Sequence, residues 1–276
     1  MNNSIHKKGQ YIVMFLVCFI FFSPFIYLLS TALKDQMQII TMPRALFPFP
    51  LHFENFVNVM THYSIGKYLR NTFTVVIFSI IGNIFVSTLT GYALSRMEFK
   101  GREFLFNLTL ACMFMPLFLI IIPRFLIFKN LGMIGTLMPL ILPSAFGSPF
   151  CIFLMRQFLR GIPMSLSEAS RIDGCSEFRI YWQIIMPLAG PAVATIIIFT
   201  TQWRWNEFIE PLIYLQSEKL YTITMGLYTV IGMSAEEINT HLVMTFVILA
   251  VLPILIIFVA AQKWFVEGIS SSGIKS

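Results

Sequence analysis

Six long apolar runs limit this chain more than any other feature, because each is close to the ~20 residues that an α-helix needs to cross ~30 Å of hydrocarbon. They lie roughly at 11–33, 71–95, 104–128, 135–155, 186–205 and 241–261. Composition agrees: 57% of the 276 residues are hydrophobic and 12% charged, with a mean hydropathy of +0.78. A soluble domain would carry about 25% charged residues. The expected fold is an all-α integral membrane protein, a single transmembrane domain over 1–276 with about six spans. The run from Tyr11 to Leu33 follows Lys7 and Lys8 as a signal peptide would, yet it is longer than an apolar signal core and lacks a small-x-small cleavage site. It is read as a retained first span.

An even number of spans returns both termini to one side. With the N-terminus inside, inner segments hold Lys7, Lys8, Arg96, Lys100, Arg102, Arg156, Arg160, Arg171, Arg179, Lys263 and Lys275, eleven of the 19 Lys and Arg residues. The other eight fall outside, a bias in the direction of the positive-inside rule. Both termini are therefore expected in the cytoplasm. The formal charge of +6 suits loops facing a lipid bilayer, and since no long basic run exists, nucleic acid is not an expected partner. Cys18, Cys112, Cys151 and Cys175 show no paired spacing, and the four histidines form no ligand pair, so no metal site is expected.

The polar interruption from Ile162 to Pro187 has chemistry of its own. Pro163 suits entry into a helix, and Ser165 stands three residues before Glu168, the spacing of a capping box. A short helix is expected over about 166–173, closed by Gly174 in the left-handed conformation. A second should open near Ser176 and carry Glu177 and Arg179. Local chemistry alone leaves two readings open, an ordinary capped loop or a built docking element.

The pattern Glu168-Ala169-Ser170, three residues, Gly174, nine residues, Ile184-x-Met186-Pro187 resembles the cytoplasmic E-A-A loop of permease subunits of binding-protein-dependent ABC importers. Ser170 replaces the second alanine of that loop and Met186 its leucine. Gly91-Tyr92-Ala93-Leu94-Ser95-Arg96 resembles an inner helix end of the same family. Trp203-Arg204-Trp205-Asn206-Glu207-Phe208, followed by Pro211-Leu212, is similar to its carbohydrate branch. The resemblance implies the type I importer fold in a bacterial inner membrane, with 156–185 as the coupling loop. It implies that Ser165, Glu168, Ala169, Ser170, Arg171, Asp173 and Gly174 contact an ATPase. It also implies a second permease as heterodimer partner, two ATPase subunits that hold ATP and Mg, and an extracytoplasmic solute-binding protein. The chain itself would be no enzyme, and no catalytic residue is expected. A sugar or oligosaccharide is the implied cargo, with another small polar solute such as glycerol phosphate as the alternative.

Several stretches stay ambiguous at this level. Pro116 and Pro123 in the third span, and Pro139, Pro143 and Pro149 in the fourth, mark either a pathway or packing. Trp203 reads as an interfacial aromatic, while Asn83, Asn107, Trp203, Asn206 and Glu207 are candidates for a substrate path by residue type alone. An amphipathic interfacial helix is expected from about Glu54 to Leu69, and a long outer loop from Ser217 to Thr240 with a turn at Gly232. The segment 262–276 contains Gly268, Gly273, Lys275 and Ser276, which nearly spell a phosphate loop, but Ile274 intrudes before the lysine. It resembles instead the glycine-rich tail of the maltose-type second permease subunit, which implies that Gly268, Gly273 and Lys275 lie against the ATPase pair. An intramembrane enzyme would need paired carboxylates or metal ligands within the spans, where charges are costly, and the predicted spans have almost none away from their ends. A non-transporting scaffold would leave the multi-position elbow without a purpose.

Overall fold

The computed structural model describes residues 2–237 and 239–273, with side chains placed for 10–232 and 239–259. Every regular element among them is helical. In order they are α1 (Asn2–Ala32), α2 (Gln36–Thr41), α3 (Glu54–His62), α4 (Ile65–Arg96), α5 (Arg102–Met113), α6 (Leu117–Asn130), α7 (Met138–Ala145), α8 (Pro149–Arg160), α9 (Ser165–Ile172) and α10 (Glu177–Arg179). After a π-helical turn over Ile180–Ile185 come α11 (Met186–Leu188), α12 (Gly190–Asn206) and α13 (Ile209–Tyr214). A 3₁₀ turn (Glu218–Leu220), α14 (Ile223–Glu237) and α15 (Thr240–Gly273) complete the chain. Four stretches, α1, α4, α15 and α7 taken together with α8, are long and apolar enough to cross a membrane, and six spans result if each of two bent pairs counts as one. Along α1 every side chain from Tyr11 to Tyr27 is exposed. So large an apolar surface is stable against lipid or another helix, not water.

The chain divides into two compact units, the first comprising Met1–Gly66 with Gly226–Pro253 and the second Lys67–Met225 with Ile254–Ser276. In the first, Asp35 starts α2 with a complete capping box: its carboxylate accepts from the Gln38 N–H at 2.6 Å, and the Gln38 amide oxygen accepts from the Asp35 N–H at 3.1 Å. The Asn55 amide donates to the carbonyls of Ala32 and Lys34 at 2.9 and 2.8 Å, which satisfies orphan acceptors at the end of α1. The helix expected from Glu54 to Leu69 is interrupted. Tyr63 is extended, its ring packs edge-on against Phe246 at 6.4 Å, and the residues from Ile65 onward belong to α4.

The second unit is built on α4, whose 32 residues reach about 48 Å at ~1.5 Å per residue. It crosses its neighbours closely. A Cβ on Gly82 would lie 2.6 Å from the Ala145 Cα, and one on Gly91 2.7 Å from the Met155 Cγ. The core here joins Tyr92 of α4, Met155 and Leu159 of α8, Ile180 and Ile185 of the π turn and Ile196 of α12.

Three expectations change. The third apolar run is not one helix, because α5 and α6 meet at 101°. Pro116 is the extended N-cap of α6, has no N–H to continue α5, and biases the residue before it away from helix. Pro123 sits inside α6 without breaking it. The fifth run bends by 77° between α11 and α12, where the Pro191 ring cannot coexist with a straight helical turn. The outer loop expected over 217–240 is mostly helix, and Gly232 lies inside α14, not at a turn. Its apolar stretch is too short to register as a span, and the Thr72 hydroxyl accepts from the Ile223 N–H at 2.8 Å to start it. At the far end, the α15 backbone continues through the tail expected over 262–276 as far as Gly273.

Candidate functional site

Two places in the second unit gather the chemistry that the sequence singles out. The first is the elbow around α9. The capping box expected of Ser165 and Glu168 does not form: Met164 is the N-cap, it makes no side-chain cap bond, and Ser165 is already helical. Long-range contacts replace the local device. Arg96, at the end of α4 and only 2% exposed, aims its guanidinium under the elbow. Its Nη2 donates to the carbonyls of Leu159 and Ile162 at 2.8 and 2.7 Å. Its Nη1 donates to the Ser167 hydroxyl at 2.8 Å and the Pro163 carbonyl at 3.3 Å.

The expected end of the helix is present. Gly174 has φ +79°, its N–H donates to the Arg171 carbonyl, and a Cβ there would meet nothing within 4 Å. Glycine is thus required for its conformation and not for space. Ser176 caps α10 by accepting from the Arg179 N–H. Arg171 and Glu177 pair at 2.6 Å, and this carboxylate holds the Arg171 pKa above its usual value. The Tyr92 hydroxyl donates to the other Glu177 oxygen at 2.7 Å, and Arg171 Nη2 donates to the Arg96 carbonyl at 3.4 Å.

These bonds give α9 two faces. Ser167 and Ser170 are buried, and the Ser170 hydroxyl is spent on its own helix through the Leu166 carbonyl. Ser165, Glu168, Ala169 and Asp173 are exposed, and Ile172 is 87% exposed at the tip. A helix held rigidly on one side and open on the other is a plug. The short helix was expected from the sequence but not what seats it, since the acceptors around Arg96 are mostly main-chain carbonyls that leave no residue-type signal.

The second place is a cavity of about 260 Å³ walled by α4, α6, the α7–α8 junction, α12 and Glu210 of α13. It brings Asn83, Trp203 and Glu207 together, whereas Asn107 and Asn206 are exposed elsewhere. Asn206 donates to the Gln202 carbonyl of its own helix. The Asn83 amide is saturated: it donates to Thr200 Oγ1 at 2.8 Å and Cys151 Sγ at 3.3 Å, and accepts from the Ser87 hydroxyl and the Ser148 N–H, each at 2.8 Å. Asn83 therefore stitches three helices together and has no hydrogen-bonding capacity left for a ligand. Glu207 accepts from the N–H groups of Ile209 and Glu210, at the start of α13.

The strongest electrostatic feature of this cavity is Glu210, which sequence reasoning passed over. Its side chain is 5% exposed and bridges Arg124 on one oxygen and Arg204 Nη1 on the other, the latter at 2.8 Å. Arg204 also donates to the Ser144 hydroxyl through Nε and Nη2. Two guanidinium groups thus face two carboxylates, and the wall carries no net charge. Of the tail residues, Gly268 and Gly273 lie on the α15 backbone, while Lys275 lies outside the described residues.

Comparison with known proteins agrees with this architecture. Residues 83–271 match the model of the family described as binding-protein-dependent transport system inner membrane component. The arabinooligosaccharides transport system permease protein AraQ of Bacillus subtilis is 30% identical over 275 residues, 99% of this chain and 97% of that one. The melibiose/raffinose/stachyose import permease protein MelC of the same species is 32% identical over 256 residues, 92% and 91% of the two chains. Among solved structures, a bacterial ABC transporter involved in import of the acidic polysaccharide alginate superposes with a TM-score of 0.82 at 22% identity, covering 96% of this chain and 98% of that one. That likeness concerns the fold. With two thirds of its length matched by the family model and nearly all of it by relatives of that kind, this chain belongs to the inner-membrane permease components of binding-protein-dependent ABC transport systems.

Proposed function

We propose that the chain forms, with a second permease, the translocation path of a bacterial importer for an oligosaccharide, and that α9 docks into a groove on one of two separate ATPase subunits. The observation behind this reading is the two-faced α9, whose inner side is fastened by Arg96 while Glu168, Ala169, Ile172 and Asp173 stand open. ATP and Mg then bind in the ATPase partners, and a solute-binding protein delivers cargo from the other side. Both termini and α9 face the cytoplasm, as the basic residues suggest. Closure of the ATPase pair pulls the plugs together, and the helix bundles rock so that the path opens on alternate sides.

The cavity favours a neutral cargo over glycerol phosphate. An anion site would want an uncommitted guanidinium, whereas Arg124 and Arg204 both rest on Glu210. The relatives' names, which specify arabinooligosaccharides and melibiose, raffinose or stachyose, point the same way. Purification with the ATPase, followed by hydrolysis and vesicle uptake measurements on Gly174→Val and Glu168→Lys, tests the docking. The first forces a β-branched residue into φ +79°, and the second reverses charge at the helix N-terminus. Loss of ATPase retention or of uptake is expected, and wild-type uptake by both variants would refute the docking.

A further inference from the structure

We propose that Arg96 is a positioning residue that makes α9 and α4 move as one body, so that displacement of the plug is transmitted to the membrane helix that lines the charged cavity. The functional consequence rests on the ATPase-docking reading of α9. The strut itself rests on geometry alone.

Arg96 is the last residue of α4 and reaches three separate pieces of chain. The Leu159 carbonyl is one of the last acceptors of α8; it also accepts from the Ile162 N–H at 3.2 Å, and the helix dipole there favours a cation. Ile162 and Pro163 form the linker, and Ser167 sits in the first turn of α9. One planar fork therefore closes α8, fixes the linker and seats α9. A second tie runs in parallel, from the Tyr92 hydroxyl one turn earlier on α4 through Glu177 to Arg171 and back to the Arg96 carbonyl. Pivoting of α9 against α4 would break the Ser167 bond and the Arg171 tie together and leave the buried guanidinium short of acceptors.

None of the hydrogen-bond partners of the Arg96 fork is a carboxylate. An ion pair would only need opposite charge nearby, but neutral acceptors spread over three segments need the directional fork that guanidinium supplies. A lysine at this position offers a single point of attachment and cannot span Leu159 and Ser167 together. Further up α4, Asn83 is bonded to Thr200 and Ser148 in the wall of the cavity. A rigid α4 thus joins the plug to that wall without an intervening hinge.

The test uses the chain purified with its ATPase and permease partners, in a background with Cys18, Cys112, Cys151 and Cys175 replaced. Spin labels are placed at Leu166→Cys, an exposed position on α9 outside the residues assigned to docking, and Phe78→Cys, an exposed position on α4. Distances are measured by pulsed electron resonance without nucleotide and with ATP plus orthovanadate. The wild-type Arg96 background is expected to give one narrow distance, unchanged by nucleotide. Arg96→Gln should broaden the distribution roughly twofold or more and make it respond to nucleotide, with Arg96→Lys in between. A narrow, nucleotide-insensitive distance in Arg96→Gln overturns the strut, and so does a nucleotide-driven shift in the wild-type background. If Arg96→Gln does not assemble, Arg96→Lys decides: broadening supports the strut and a wild-type width overturns it. Should no ATPase accompany even the wild-type chain, the docking reading fails, while the nucleotide-free widths still decide the strut.

Discussion

Replacing Glu210 by Gln keeps the size and shape of the side chain and removes the charge on which two guanidiniums rest. The Glu210 side chain is 5% exposed, and Arg124 and Arg204 are 21% and 14% exposed, so bulk water compensates the guanidiniums only in part once the carboxylate is gone. Removing one member of a buried ion pair costs about 3–5 kcal/mol, against about 0–1 for an exposed one. Partial solvation of Arg124 and the Ser144 hydroxyl beside Arg204 place Glu210→Gln near the lower bound, about 3 kcal/mol. That is a change of roughly a hundredfold in the folding equilibrium. Reversible denaturant titration of the detergent-solubilised chain measures it. A double-mutant cycle with Arg124→Met isolates the pair, because deleting both charges should restore about 1–3 kcal/mol relative to the sum of the single changes. A cost under about 1 kcal/mol for Glu210→Gln, or strict additivity in the cycle, would refute the idea that this triad is a desolvated unit.

The same titration should find Glu103→Gln milder, about 1–2 kcal/mol. Glu103 is 59% exposed, but its partner Arg156 at 2.8 Å is 4% exposed, and the Leu94 carbonyl and the Phe106 ring face compensate that guanidinium in part. Gly82→Ala should cost about 1–3 kcal/mol because its methyl would strike the Ala145 backbone, whereas Gly190→Ala, with nothing within 4 Å, should fall within about 0.5. Equal effects at the two glycines would show that α4 can yield there. For orientation, cysteine placed at Glu168 should react with an impermeant maleimide only after permeabilisation, and cysteine at the exposed Met37 in intact cells. The opposite pattern would invert the assigned topology.

What could be read from the residues divides along a physical line. Features set by a single residue's backbone chemistry were legible: Gly174 ends α9 with positive φ, and Ser176 caps α10; of the long apolar runs, the third and fifth are broken by sharp bends. Features decided by competition between local and distant partners were not. Ser165 and Glu168 have the spacing of a capping box, yet the seating of α9 by Arg96 places Met164 at the N-cap, and tertiary contact overrides the local motif. Pro116 and Pro123 look equivalent in sequence, but only Pro116 coincides with a break, because Pro123 lies well inside α6. Glu210 was hidden for another reason. Its partners Arg124 and Arg204 lie 86 and 6 residues away, and no periodicity links them.

The main-chain character of the acceptors around Arg96 has a bearing on divergence and on engineering. Leu159, Ile162 and Pro163 hold the guanidinium through carbonyl oxygens, which every amino acid provides. The joint therefore does not read their side chains; Leu159 and Ile162 are constrained instead by the apolar core against which they pack, so exchange with another permease leaves the joint intact where that packing is kept. Only the arginine and the Ser167 hydroxyl are identity-bound. An elbow transplanted from a relative should seat correctly on this scaffold wherever loop length is kept and a small hydroxyl residue stands third in the short helix; under the docking proposed for α9, ATPase preference then becomes a module separable from the membrane bundle.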